Sequence, residues 1–152
     1  MNKREIVRKQ LDNKLVSLQQ AGEVIAPASG WIYAFRYALN MSLRQLGHKL
    51  SITSQSVKEI EEREENGTVS LKVLRQVASA LNMKFYYGFI PENRTLEAMI
   101  EKRATELAEK IVRRTSIHMN LEDQAVSEER LKMAISEKTK EITNELPKLL
   151  WD

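Results

Sequence analysis

The chain has 152 residues, of which 42% are hydrophobic and 30% charged, and it contains no cysteine. This composition is typical of a globular chain and excludes a disordered one. Without cysteine, disulfides, thiolate zinc sites and cysteine nucleophiles are excluded, and a cytoplasmic location is expected. The net charge of +3 permits nucleic-acid binding without requiring it, so function must be inferred from sequence patterns.

Residues 1–30 are predicted to form a helical arm and a connector. Apolar residues recur at helical spacing among basic residues up to about residue 20, and Pro27 and Gly30 mark the connector. The segment lacks a continuous apolar core, so we expect mature protein rather than a signal peptide. No apolar run approaches the roughly 20 residues that span a membrane. The basic side chains of the arm either form a solvated face or hold the DNA backbone: Lys3, Arg4, Arg8 and Lys9.

Residues 31–92 contain short helical segments separated by capping residues. Ser42, Thr53 and Ser70 are predicted N-caps, and Gln45 completes a capping box with Ser42. Asn66-Gly67 is predicted to end the third segment.

An aromatic stretch at 84–90 follows, and its alternation predicts one short strand or an extended edge. Its rings could stack on bases, but core packing or a dimer strand is the favoured interpretation: Phe85, Tyr86, Tyr87 and Phe89.

Residues 93–152 are predicted to form a helical pair. Thr95 caps a helix that runs to about residue 119, Asn120 with Asp123 caps a second helix, and Pro147 ends it. Both apolar stripes are narrow, so each helix needs the other, the central domain or a second chain. This region is therefore the expected dimerisation or partner-binding surface.

The unit from 41 to 81 has the pattern of a helix, a short turn and a second helix that can enter the DNA major groove. Gly47 is small where the two helices approach. The shared core is supplied by apolar residues on both sides of the turn: Leu46, Leu50, Ile52, Val57 and Ile60. The polar turn that opens the second helix, residues 53–56, can reach base edges or phosphates, and glutamine can bond bidentately to adenine.

Over its full length this unit resembles the phage-repressor, or Xre-like, helix-turn-helix family. The resemblance implies an all-α fold, binding to double-stranded DNA and a two-fold homodimer. It implies base contacts from Thr53, Ser54, Gln55 and Lys58. It implies phosphate contacts from Ser42, Arg44, Ser56 and Lys72. It also implies that Arg36 pairs with Glu61 as a structural brace.

A second resemblance extends over nearly the whole chain. It is carried by A-S-G-W-I at 28–32, E-R-E-E-N-G-T-V-S-L-K-V-L at 62–74, L-E-A-M-I-E-K-R-A at 96–104, H-M-N-L-E-D-Q-A at 118–125 and the final L-W-D. These segments resemble the group called mobile mystery protein A, whose members are encoded beside a Fic-domain partner, mobile mystery protein B. The resemblance implies a regulator, or an antitoxin that restrains the Fic-domain protein.

Fic inhibitors carry a helical motif of Ser or Thr, three residues, then Glu followed by Gly or Asn. Thr105 and Glu109 match its first part, which makes Glu109 a candidate inhibitory glutamate, but Lys110 departs from the motif. An exposed glutamate on an ordinary helix is the alternative.

An acidic stretch limits the DNA-binding prediction. Five of the seven residues from 59 to 65 are glutamates, and acidic groups near phosphate weaken DNA binding, so this end must tilt away from the duplex or binding is weak. A scaffold that binds only protein is the alternative. His48 and His118 are isolated and predict no metal site.

The sequence contains no phosphate-binding glycine loop or nucleophile elbow, so neither an enzyme nor a cofactor is expected. We therefore predict a sequence-specific DNA-binding regulator that represses its own operon. The alternative is an antitoxin-like protein that binds a Fic-domain partner.

Overall fold

The computed structural model describes residues 2–121 and 127–152, and these residues form seven α-helices and no β-strand. The helices are α1 (Lys3–Val16), α2 (Trp31–Ala38), α3 (Leu43–Leu50), α4 (Ser54–Asn66), α5 (Leu71–Ala80), α6 (Leu96–Leu121) and α7 (Glu128–Glu145). Two short 3-10 turns lie at Gln20–Glu23 and Lys148–Trp151. The predicted all-α class is confirmed.

The chain divides into two compact units. The central unit comprises residues 20–88, with α2 to α5. The terminal unit comprises residues 1–19 and 89–152, with α1, α6 and α7. The N-terminal helix, which the sequence suggested as a separate arm, is thus grouped with the two C-terminal helices.

The central unit has a small apolar core to which all four helices contribute. Its buried members come one from each helix: Ile32, Leu46, Val57 and Val77. The predicted core residues Leu50, Ile52 and Ile60 are partly buried and pack against this cluster. Burial of these side chains provides the main driving force that holds α3 and α4 together.

Local hydrogen bonds fix the start of each helix in the central unit. The side chains of Ser42, Thr53 and Ser70 accept hydrogen bonds from the first turns of α3, α4 and α5, as predicted. Ser42 and Gln45 form the predicted capping box. Gly67 ends α4 in the left-handed region, with φ of 75°, which glycine adopts without steric strain.

The predicted strand at 84–90 is wrong. These residues form neither helix nor strand in the structure. A strand requires a ladder of backbone hydrogen bonds to a neighbour, and no other strand exists among the described residues to supply one.

In the terminal unit, α6 and α7 pack along each other over small and branched side chains. The buried cluster contains Ile100, Ala104 and Ala108 from α6, Ile142 from α7, and Leu150 from the 3-10 turn near the end of the chain. The narrow stripes that the sequence indicated are therefore covered in part by each other.

The N-terminal helix is attached to the start of α6 by polar contacts. The carboxylate of Asp12 accepts hydrogen bonds from the backbone N–H groups of Leu96 (2.7 Å) and Glu97 (3.4 Å). Arg8 forms an ion pair with the Glu97 side chain at 2.8 Å. A carboxylate at a helix N-terminus is favourable because it satisfies free N–H groups and complements the helix dipole.

The predicted start of the second C-terminal helix is wrong. Asn120 lies inside α6, and α7 begins at Glu128 with Ser127 as its N-cap. Ser127 has the same capping chemistry that the sequence analysis assigned to Asn120. Asp123 and the side chain of His118 lie outside the described residues.

Within residues 2–121 and 127–152, no helix combines the length and the apolar composition needed to cross a membrane.

Candidate nucleic-acid interface

The helix pair α3 and α4 is joined by a turn of three residues. Ser51 adopts a left-handed conformation (φ 58°, ψ 39°) and its N–H bonds back to the end of α3. Thr53 then caps α4, with its hydroxyl accepting from the N–H of Ser56 at 3.1 Å. This turn sets the direction in which α4 leaves α3, and so positions the first turn of α4.

The approach of the two helices requires a glycine at position 47. Gly47 is buried, and a Cβ placed on it would lie 2.7 Å from the carbonyl oxygen of Ile52. It would also lie 3.3 Å from main-chain atoms of Thr53. Because these are backbone atoms of the turn itself, a larger residue would displace the start of α4.

The four predicted base-contact residues lie on the first turns of α4. Thr53, Ser54, Gln55 and Lys58 are all exposed. The hydroxyl of Thr53 is already engaged, because it donates to Oγ of Ser56 at 2.9 Å as well as capping the helix. Ser54, Gln55 and Lys58 are therefore the side chains of this turn best placed to contact a ligand.

The predicted phosphate-contact residues lie at the starts of three helices. Ser42 and Arg44 are exposed at the start of α3, and Lys72 is exposed in the first turn of α5. Ser56 is half-buried and bonded to Thr53. The hydroxyl of Ser42 is used in the capping box. Arg44 and Lys72 are the two cationic members, and neither forms an ion pair among the described residues.

An open groove of about 1080 Å³ lies between the start of α3 and the start of α4. Its lining contains Arg44, Lys49 and His48, together with the short polar residues of both helix starts. None of the residues that line it is acidic. The groove thus has a positive character that the modest net charge of the chain does not indicate.

The predicted brace residues Arg36 and Glu61 form a paired contact between α2 and α4. Nε of Arg36 donates to Oε1 of Glu61 at 2.5 Å, and Nη2 donates to Oε2 at 3.2 Å. Nη1 donates to the backbone carbonyl of Met41 at 3.0 Å, which ties the pair to the turn before α3. The two side chains are only 15% and 9% exposed.

The hydrogen bond to Glu61 raises the pKa of Arg36, against the opposing effect of burial, and the negative charge of Glu61 adds to the increase. Arg36 therefore stays charged at any physiological pH. Because the pair is bidentate, it fixes both the distance and the orientation between α2 and α4.

The acidic end of α4 contains a second structural carboxylate that sequence analysis missed. Oε1 of Glu64 accepts a hydrogen bond from the N–H of Ile32 at 2.8 Å, at the start of α2. The residue before α2 is Gly30, which offers no side-chain cap. That missing cap was the available signal, because a helix start without a local acceptor needs one from elsewhere.

The run of five glutamates is therefore not a uniform acidic surface. Glu61 is buried in its ion pair and Glu64 is half-buried against α2. The remaining three are exposed: Glu59, Glu62 and Glu65.

The candidate inhibitory residue Glu109 lies on α6 in an ion pair. Its Oε1 accepts from Nη2 of Arg113, one turn further along the helix, at 3.0 Å. The hydroxyl of Thr105, the other residue of the partial motif, donates to the carbonyl of Glu101. Both contacts are those of ordinary surface residues on a helix.

The aromatic residues after α5 lie partly on the surface. Phe85 is half-buried and its ring stacks with that of Tyr87, with centroids 6.1 Å apart. Tyr86 and Phe89 are 75% and 87% exposed. Phe85 does not belong to the apolar core of the central unit and its neighbours are exposed, so the described residues do not show the expected core packing.

No protein-family model, no curated protein and no solved structure matches this chain.

Proposed function

We propose that this protein is a sequence-specific DNA-binding regulator of the phage-repressor helix-turn-helix type, with α4 as the recognition helix. The observation that carries the proposal is the groove between α3 and α4, which is basic and lined by no carboxylate. A helix N-terminus with exposed polar side chains beside such a groove suits a major groove flanked by phosphates.

In the proposed complex the first turn of α4 contacts the edges of the bases. Gln55 is exposed and has the amide geometry that pairs with adenine. Ser54 lies beside it, and Lys58 follows one turn later with a reach sufficient for guanine or a phosphate. Thr53 acts mainly as the cap that holds this turn in place.

Phosphate contacts position the protein on the duplex. Arg44 at the start of α3 and Lys72 at the start of α5 are exposed cations near helix N-termini, where backbone N–H groups add to the attraction. Each cation that neutralises a phosphate makes binding more dependent on salt.

The acidic end of α4 is compatible with this proposal. Glu61 is neutralised by Arg36, and Glu64 is committed to the start of α2. The exposed glutamates, Glu59, Glu62 and Glu65, all lie beyond the first turn of α4, and Glu59 directly follows Lys58. Repulsion between these glutamates and the phosphates favours a docking in which α4 enters the DNA major groove by its N-terminal end.

Replacement of Gln55 tests the base contact. Gln55→Ala should weaken binding to the cognate duplex by about 1–3 kcal/mol and reduce discrimination at one base pair. Gln76→Ala is the matched control, because Gln76 is an exposed glutamine in the interior of α5, outside the first turn of α4. Fluorescence anisotropy with a set of single-base variants measures both effects. Equal losses for the two variants would refute the proposed docking.

The proposal includes a homodimer that represses its own operon. Two recognition helices enter successive major grooves only when their separation matches one helical turn of DNA, about 34 Å. Sedimentation of the protein with a duplex from its own upstream region should therefore give two protomers per site. A complex with one protomer would contradict this part of the proposal.

A second candidate function is restraint of a Fic-domain partner. The observation that favours it is a groove of about 500 Å³ between α6 and α7, with Ile111 38% exposed on its wall. Ile111→Gln should abolish co-purification with a co-expressed Fic-domain protein, the kind of partner that the family resemblance implies. Lys102→Gln, on α6 outside the groove, should leave it intact. Loss with both variants or with neither would count against this candidate.

A further inference from the structure

A second concavity of the central unit lies between α2, α5 and the residues that follow α5. Its volume is about 300 Å³, and it shares no lining residue with the groove assigned to DNA. Pockets for small molecules begin at about this size, with a usual range of about 300–1,000 Å³. The proposed DNA contacts leave this pocket unexplained.

Aromatic rings form much of the wall of this pocket. Trp31 and Phe35 of α2 stack with their centroids 5.7 Å apart, and Phe85 and Tyr86 contribute from the segment after α5. The rest of the wall is mainly aliphatic side chains of α5. Such a wall provides apolar contact area, and the faces of the rings attract positive charge.

One carboxylate is included in this apolar wall. Glu64 lines the pocket and is half-buried, with Oε1 bonded to the N–H of Ile32. Gly30 leaves room for this carboxylate, because a Cβ at position 30 would come within 2.6 Å of the same oxygen. Among the described residues Glu64 makes no ion pair. Among the described residues, its carboxylate accepts a hydrogen bond only from the start of α2.

We propose that this pocket binds a small hydrophobic cation, such as an ammonium group joined to an aromatic ring. The carboxylate of Glu64 would attract the charge, and the rings of Trp31, Phe35 and Tyr86 would contact the apolar part. Charge attraction is stronger here than in water because the surroundings are apolar.

Lys84 also lines the pocket and carries the opposite charge. Its side chain is exposed, so its aliphatic stem can cover the rings while the ammonium remains in water. Tighter binding of a cation than of an anion would therefore show that Glu64 determines the charge of the ligand. Tighter binding of an anion would show that Lys84 does.

The test uses the full chain and three probes of similar shape in isothermal titration calorimetry. 2-Phenylethylammonium should bind saturably, and neutral 2-phenylethanol and anionic 3-phenylpropionate should bind at least about tenfold more weakly. The proposal is overturned if the ammonium probe shows no saturable binding. It is also overturned if the alcohol or the carboxylate binds as tightly.

Substitution of Glu64 identifies the group responsible. Glu64→Gln keeps an oxygen for the N–H of Ile32 and removes the charge, so affinity for the ammonium probe should fall about tenfold or more. Glu62→Gln, an exposed residue of the same helix, is the matched control and should bind as the parent chain does. Unchanged affinity in a folded Glu64→Gln variant would overturn the proposal. If that variant does not fold, the comparison of the three probes on the parent chain decides.

Discussion

Replacing Arg36 by Met should destabilise the protein by about 3 kcal/mol, because it leaves the carboxylate of Glu61 buried without its partner. Removal of one member of a buried ion pair typically costs about 3–5 kcal/mol. The 15% exposure of the Arg36 side chain places this pair at the lower end of that range. A loss of this size lowers Tm by more than about 10 °C for a small domain.

The double variant Arg36→Met/Glu61→Met removes both charges and restores apolar contacts. It should be less destabilised than Arg36→Met alone, at about 1 kcal/mol, since only the carbonyl of Met41 then loses a donor. Thermal and urea unfolding followed by circular dichroism measure all variants.

The exposed pair Arg113–Glu109 supplies the matched control for this cycle. Its side chains are 57% and 47% exposed, so the same substitutions there should change stability by no more than about 0.5 kcal/mol. The single variant Glu61→Met completes the cycle. If the loss in the double variant equals the sum of the losses in Arg36→Met and Glu61→Met, or if the control pair behaves in the same way, the pair is not the buried brace described above.

Four further predictions concern helix starts, helix packing, charge and pH. Gly47→Ala should lower the free energy of unfolding by about 1–3 kcal/mol, because the added methyl group meets the backbone of the turn. At a temperature where this variant is still folded, its affinity for DNA should also be lower than that of the parent chain, because the start of α4 is displaced. Asp12→Ala should cost about 1 kcal/mol in thermal unfolding, because the N–H groups of Leu96 and Glu97 lose their acceptor while Thr95 still caps Ala98, and Asp12→Asn should cost less. In anisotropy titrations, Arg44→Gln should reduce the slope of the logarithm of the binding constant against the logarithm of the salt concentration by about 1. A slope equal to that of the parent chain would exclude a phosphate contact by Arg44. The pKa of Arg36 is raised in the folded chain. The stabilisation by its charge is therefore complete at any pH below the ordinary pKa of arginine, and it is lost only when the pH rises above the pKa of Arg36 in the folded chain. The difference in unfolding free energy between the parent chain and Arg36→Met should therefore not change through titration of Arg36 between about pH 6 and pH 9.

Local signals in the sequence were sufficient to predict the helices of the central unit. Ser42, Thr53 and Ser70 each precede an apolar pattern of helical period, and each caps the expected helix. Each of these caps bonds to a backbone group within one turn of itself, so the local sequence is sufficient to predict it. The Arg36–Glu61 contact, implied by the family resemblance, is also formed.

Contacts between distant parts of the chain could not be predicted in this way. Asp12 caps a helix that begins more than 80 residues later, and Glu64 caps one that begins about 30 residues earlier. The uncapped start of α2 indicates that an acceptor must come from elsewhere, but nothing in the sequence next to Asp12 or Glu64 distinguishes these carboxylates from exposed ones. The sequence therefore indicates only an acidic end of α4, although two members of the glutamate run, Glu61 and Glu64, hold the fold.

The aromatic stretch at 84–90 shows the limit of strand propensity. Its composition favours a strand, but propensity for a strand mainly reflects packing against neighbouring strands. The described residues offer no neighbouring strand, so the stretch remains irregular.

The central claim is specific DNA binding by α4, and anisotropy at two salt concentrations tests it most directly. The protein is titrated against a duplex from its own upstream region and against a scrambled duplex of equal length. The account predicts binding at least about 1,000-fold tighter to the native duplex, which weakens as salt increases. Equal weak binding to both duplexes would contradict it, and the partner-binding function would then be the better proposal.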